Sequence, residues 1–145
     1  MDNIMFCSCG RRATLLKDFR KSMNGCGKIV ATDMSPVAPA LFMADETYLV
    51  PRIDDPSYYE HVLDICEKSK VKAITTLIDP EIEILAKNRE DLLSKGILPL
   101  CPADWTARLC YDKYEMFKYL HDKGVRTILT YNSLEEFKNG LEKGK

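Results

Sequence analysis

The sequence predicts a doubly wound α/β fold with a mostly parallel sheet, and three observations carry that prediction. Short apolar runs alternate with amphipathic helical patterns from Asn3 to Cys101. The first run, Ile4-Met5-Phe6, passes through the small residues Cys7-Ser8-Cys9-Gly10 into Arg11-Arg12 and a leucine-bearing helical pattern. The second run ends in an acid, Asp33. It lies about 20 residues after the first turn, the interval at which nucleotide-binding α/β domains place a ribose-binding carboxylate.

The totals narrow the function classes. A chain of 145 residues is long enough for one domain with a real core. With 46% apolar and 30% charged residues the composition is that of an ordinary globular protein. A formal net charge of −1 removes the basic footprint of a nucleic-acid binder. No apolar run approaches the roughly 20 residues of a membrane span, and Asp2-Asn3 lacks the basic start of a signal peptide. The expectation is a cytoplasmic protein with neither nucleic acid nor membrane as partner. The six cysteines are scattered, and Cys7-x-Cys9 has no second pair to complete a zinc set, so buried reduced thiols without a metal are expected.

The elements follow in order. Leu15, Leu16, Phe19 and Met23 predict a helix over residues 11 to 23, stopped by Asn24-Gly25-Cys26-Gly27. Lys28–Asp33 is a second strand, and Val37–Ala44 is one or two helical turns. Thr47–Pro51 is a third strand halted by proline. Tyr58, Val62, Ile65 and Cys66 recur at helical spacing, and Lys72–Ile78 is a fourth strand, central and apolar. A helix after Asp79-Pro80-Glu81 carries Ile82, Leu85 and Ala86 and ends at Gly96. Ile97–Cys101 is a fifth strand, assigned to an edge by Pro99.

From Pro102 the pattern changes, giving a boundary between residues 1–103 and 104–145. Asp104 and Asp112 cap two helices, the second burying Met116, Phe117 and Leu120. Thr127–Tyr131 reads as a sixth β-like run, and Ser133 with Glu136 forms a capping box for a last helix running to Glu142-Lys143-Gly144-Lys145. A strand and a helix without partner strands look like the beginning of an incomplete further domain. Such a unit leaves Trp105, Phe137 and Leu141 partly exposed and favours homo-oligomer formation.

Several residues carry candidate chemistry. Gly10, Arg11 and Arg12 stand where a helix N-terminus attracts an anion, although the three glycines of a dinucleotide fingerprint are missing. The alternative is a purely structural turn with solvated arginines. Asp33 either bonds a ribose hydroxyl or caps the turn before Ser35-Pro36. Asp79 and Glu81 load the turn after the fourth strand, where they also complement the dipole of the following helix.

Gly10-Arg11-Arg12, Ala31–Pro36, Tyr48-Leu49-Val50-Pro51-Arg52, Leu77–Glu81 and Asp112-Lys113-Tyr114 leading to Gly124-Val125 occur in an order and spacing with a family resemblance. The sequence resembles the N-terminal, pre-ATP-grasp domain of ATP-grasp enzymes, especially carbamoyl-phosphate synthase large subunit-like proteins. The resemblance spans Asn3 to about Lys143. It implies a Rossmann-like domain over residues 1–103, followed by linker helices and the beginning of a truncated ATP-grasp domain over 104–145. It also implies a carboxylate–amine ligase that uses ATP and Mg2+, forms an acyl phosphate, and takes a small-molecule carboxylate and an amine as substrates.

On that reading the N-terminal domain supports substrate binding through Gly10, Arg11, Arg12, Asp33, Asp79 and Glu81. Lys113 contacts the nucleotide phosphates, and the fragment alone is not catalytic. The alternative reading is a stand-alone nucleotide-binding regulatory module with Asp33 on a ribose and Arg11 near a phosphate.

Overall fold

In the computed structural model, residues 2–142 are described. The chain divides into two compact units, Met1–Asp104 and Trp105–Lys145.

The first unit is built on β1 (Asn3–Cys7), β2 (Ile29–Asp33), β3 (Glu46–Leu49), β4 (Val71–Thr76) and β5 (Leu98–Pro99). They form one sheet in the order β3-β2-β1-β4-β5, and every pairing is parallel. The register sets Met5 beside Val30 on one side and Ile74 on the other. Alternation along β1 then divides the core between the two faces, because successive side chains of a strand point oppositely. Ile4 and Phe6 pack with Ile29, Ala31 and Leu16 of α1 (Ala13–Met23), and with Ala40 and Leu41 of a 3₁₀ turn, Pro39–Met43. Phe6 meets Phe19 edge to face at 4.8 Å between centroids.

On the opposite face Met5, Cys7, Val30 and Ile74 pack against three helices. Tyr58, Val62 and Ile65 come from α2 (Tyr58–Lys68), Leu85 from α3 (Asp79–Lys87) and Leu92 from α4 (Arg89–Ser94). The chain leaves β1 toward β2 and leaves β4 toward β5, so β1 and β4 flank the point where strand order reverses. Open α/β sheets bind ligands at the carboxyl ends of the strands at that point.

The predicted strands and their parallel pairing are present, and Pro99 lies on the edge strand. Three details differ in this unit. The helix expected after residue 81 is two helices, broken at Asn88, whose side-chain amide donates to the Ile84 carbonyl at 2.8 Å and competes with the helical ladder. Leu15 is exposed, leaving Leu16 as the buried residue of α1. Among the cysteines Cys7, Cys9 and Cys66 are buried, but Cys26 is exposed because it sits in the turn after α1.

That turn brings two backbones together. Asp2 N–H donates to the Cys26 carbonyl, and a Cβ built on Gly27 would lie 2.3 Å from the Asp2 carbonyl oxygen. Backbone cannot swing aside as a side-chain tip can, so Gly27→Ala is expected to destabilise the protein by about 2 kcal/mol. Urea unfolding measures this, and an unchanged midpoint would mean that the Asp2 strand end yields without cost.

The second unit contains α6 (Lys113–Asp122) and α7 (Leu134–Glu142), preceded by α5 (Asp104–Tyr111), which begins at the last residue of the first unit. Asp112 caps α6, its carboxylate accepting from Tyr114 N–H and Glu115 N–H at 3.0 Å each. Ser133 Oγ accepts from Glu136 N–H at 3.1 Å, and the Glu136 carboxylate reaches back to Asn132 N–H rather than to Ser133. The predicted end of the last helix at Lys143–Lys145 lies outside the described residues.

Thr127–Tyr131 is not a strand. Extended propensity alone does not make one, since a strand needs a neighbour for its ladder, and among the described residues this segment pairs with none. Met116, Phe117 and Leu120 are half-buried rather than buried, and Cys110 is exposed. A unit of this size removes too little surface from water to bury a helix face fully. Trp105, Phe137 and Leu141 are exposed, as is Ile128 at 84%. Among the described residues no helix is long and apolar enough to cross a membrane.

Candidate functional site: a cleft at the carboxyl ends of the strands

The turns after β1, β2, β3 and β4 enclose a cleft of about 350 Å³. Ser8, Gly10 and Arg12 line it from the first turn, Asp33 and Met34 from the second, Arg52 and its neighbours from the third, and Ile78 from the fourth. Val50, Pro51 and Ile53 make much of the wall apolar, with two guanidinium-bearing residues at the polar side.

The floor is held by Asp33. One carboxylate oxygen accepts from Gly10 N–H at 2.7 Å, and the other from Ser35 N–H at 2.9 Å. The Gly10 carbonyl in turn accepts from Ala40 N–H at 3.0 Å. Gly10 thus uses both backbone groups to tie the first turn to the second, in a left-handed conformation (φ +52°) that favours glycine. Ser8 is also left-handed, at φ +46°, a rarer state for a residue with a Cβ. Gly10 N–H is directed at Asp33, so an anion in this turn relies on side chains instead.

Arg12 is exposed at the start of α1, while Arg52 pairs with exposed Asp54 through two contacts, at 3.1 and 3.3 Å. The thiols beside the turn are not nucleophiles. Burial pushes Cys7 well above its ordinary value, and burial followed by the Asp33 charge pushes Cys9 up to about 11. Both remain neutral near pH 7, so neither supplies a thiolate beside the turn.

Behind Ser8 lies Glu81, which is 0% exposed. Tyr58 Oη donates to one of its oxygens and Thr76 Oγ1 donates to the other, while the Ser8 hydroxyl lies near enough to act on it. Burial raises its carboxyl to about 7; the Ser8 hydroxyl lowers it and the Asp33 charge raises it.

The structure therefore brings Gly10, Arg12 and Asp33 together at the cleft. Arg11 is exposed and does not line it, Asp79 is exposed at the first turn of α3, and Glu81 sits beneath it rather than in its wall. Lys113 belongs to the second unit, where its ammonium donates to the Cys110 carbonyl. Sequence reasoning did not single out Arg52 as a site residue. A basic residue directly after the third strand, at the end where the other turns gather, was the available signal.

A family model described as PylC-like, N-terminal domain, matches residues 4–100. The chain belongs to the PylC-like N-terminal domain family. This is a pre-ATP-grasp domain, and its all-parallel Rossmann-like sheet is shared by solved ATP-grasp enzymes. N5-carboxyaminoimidazole ribonucleotide synthetase from Thermotoga maritima is similar at 20% identity and a TM-score of 0.67, over 97% of this chain and 36% of that one. The Staphylococcus aureus N5-carboxyaminoimidazole synthetase complexed with ADP is similar at 16% identity and a TM-score of 0.64, over 98% of this chain and 36% of that one.

The biotin carboxylase domain of a single-chain bacterial carboxylase is similar at 16% identity and a TM-score of 0.64, over 99% of this chain and 34% of that one. This PylC-like chain thus spans about a third of the length of the enzymes it resembles. No curated protein matches its sequence.

Proposed function

We propose that this chain is the N-terminal part of an ATP-dependent carboxylate–amine ligase, similar to the carbamoyl-phosphate synthase large subunit, and that its cleft holds the substrate carboxylate. The observation that carries the reading is the cleft itself, with Arg12 and Arg52 beside apolar walls at the strand-order reversal of a PylC-like domain. Guanidinium groups suit a carboxylate, which they bind through paired hydrogen bonds. The apolar side chains Met34, Val50, Ile53 and Ile78 suit a hydrocarbon body attached to it.

ATP and Mg2+ belong to the full ligase. Among the described residues no group of three or more His, Cys, Asp or Glu is placed to hold a metal ion, and Lys113 is the single residue assigned here to the nucleotide phosphates. The charge clamp that phosphoryl transfer requires is supplied by other parts of the ligase, and residues 1–145 alone do not catalyse. What this chain contributes is substrate position: Asp33 fixes the first two turns, and the arginines orient the carboxylate.

The test is to recover the native gene product with an antibody raised to this chain and to assay it for ADP formation. A product much larger than 16.6 kDa that forms ADP only with a carboxylate and an amine together is expected. ADP formation should fall on the order of tenfold or more in Arg12→Ala, since a charge-assisted bidentate contact contributes about 1.5–3 kcal/mol. A 16.6 kDa product, or one that makes no ADP under any such pairing, would overturn the reading.

A further inference from the structure

The Glu81 carboxylate is buried beneath a cleft suited to an anion, and its contacts are hydroxyls rather than cations. Facing it are the Tyr58 phenol from α2, the Thr76 hydroxyl from β4, the Cys7 thiol and Ser8 hydroxyl from β1 and its turn, and the Asp33 carboxylate from β2. On its own helix, Asp79 is exposed. Arg12 lines the cleft, but among the described residues no cation forms an ion pair with Glu81. An ionised Glu81 therefore adds a second carboxylate charge to that of Asp33 around the turn that receives the ligand, with no cation of its own beside it. Burial without a counter-charge favours the neutral acid, and Ser8, the residue of the cleft wall that acts on this acid, lies between it and the ligand space.

We infer that Glu81 is a proton-linked positioning residue: an anionic ligand enters the cleft together with a proton taken up by Glu81, so that affinity falls as the pH rises. The inference rests on the carboxylate-binding reading of the cleft and deepens it. A ligand charge on the other side of Ser8 opposes ionisation of Glu81, and by linkage the proton and the ligand then favour each other's binding. The neutral acid also has a hydroxyl of its own to donate. One of its two hydroxyl partners, Tyr58 or Thr76, then accepts rather than donates. Ser8, whose hydroxyl lies beside this acid, lines the cleft, so the charge that hydroxyl faces changes with protonation. No bond is made or broken beyond this proton transfer, and the proton comes from solvent.

The experiment uses the 145-residue chain with hexanoate as probe, by calorimetry at pH 6 and pH 8, alongside the Glu81 carboxyl signal in ¹³C NMR. Hexanoate stays ionised at both values, so its own charge is constant. The expected result is a dissociation constant on the order of fivefold weaker at pH 8, with proton uptake on binding and a Glu81 signal that titrates between those values. Glu81→Gln is expected to bind with no pH dependence over this range. Should that variant fail to fold, Tyr58→Phe removes one donor to the carboxylate and is expected to move the Glu81 titration upward.

Equal affinity at pH 6 and pH 8, or a pH dependence unchanged in Glu81→Gln, would overturn the inference while leaving the cleft reading in place. A Glu81 signal that stays ionised throughout would do the same. Absence of hexanoate binding at either pH would overturn the cleft reading, and this inference with it.

Discussion

Unfolding free energy, compared between the wild type and Glu81→Gln, is expected to converge toward acid pH and to diverge as the pH rises. Burial raises the folded-state carboxyl of Glu81 from 4.5 to about 7. Below the unfolded value both states hold the proton, and the buried acid imposes no ionisation penalty. Between those values the folded state binds more protons than the unfolded state, so stability drops with rising pH; above the folded value the loss is complete. The size is on the order of 3 kcal/mol, a large share of the total stability of a domain.

The surface carboxylates behave in the opposite sense. Glu46 is held low by its hydrogen bond to Lys28, Asp54 by Arg52, Asp55 by Ser57 and Asp91 by Lys95. Their contribution is lost as the pH falls, on the acid side of the Glu81 window. Urea titrations of both proteins from pH 4.5 to pH 8 separate the two effects. A wild-type-minus-variant difference that stays flat across that range would mean that Glu81 is already charged when folded.

The sheet was legible because its determinants are local. The unbroken apolar run Ile4-Met5-Phe6 marks a strand, and a proline in the Ile97–Cys101 run excludes a central position. Both hold in the folded chain, where Asn3–Cys7 is strand β1 and β5 is an edge. The Thr127–Tyr131 run has similar local propensity and no strand, because pairing is a property of the neighbour and not of the segment.

The site divides along the same line. Gly10, Arg12 and Asp33 stand immediately after strands, and strand ends are readable from the sequence. In the sequence Glu81 reads either as a substrate-binding carboxylate or as a first-turn acid complementing a helix dipole. Its burial depends on Tyr58, distant in sequence by 23 positions, and no local pattern encodes that encounter. Arg52 enters the cleft because β3 lies beside β2, a fact of topology rather than of composition.

Asp33→Ala is expected to cost about 3 kcal/mol of stability and to abolish hexanoate binding together. Each carboxylate oxygen accepts a backbone N–H, from Gly10 at 2.7 Å and from Ser35 at 2.9 Å, in a residue only 8% exposed. Hydrogen bonds to a charged group contribute about 1.5–3 kcal/mol each, and truncation leaves both donors without their acceptor. The two readings of this acid in the sequence, a ligand contact and a turn brace, predict different patterns in the conservative variant.

As a brace, Asp33→Asn keeps one acceptor oxygen but turns an amide NH2 toward the other N–H, so about half the stability is lost and binding weakens in proportion to the disorder of the first turn. As a ligand contact, the same variant would bind more weakly with its melting temperature unchanged. Two occupied oxygens at hydrogen-bond distance from backbone favour the brace, because a carboxylate that fixes two turns has its orientation set before any ligand arrives. Thermal denaturation and calorimetry on the same preparation read both quantities. A variant with wild-type stability and no binding would return Asp33 to the ligand and leave the first turn to be held by backbone hydrogen bonds such as Gly10–Ala40 and Cys9–Thr32.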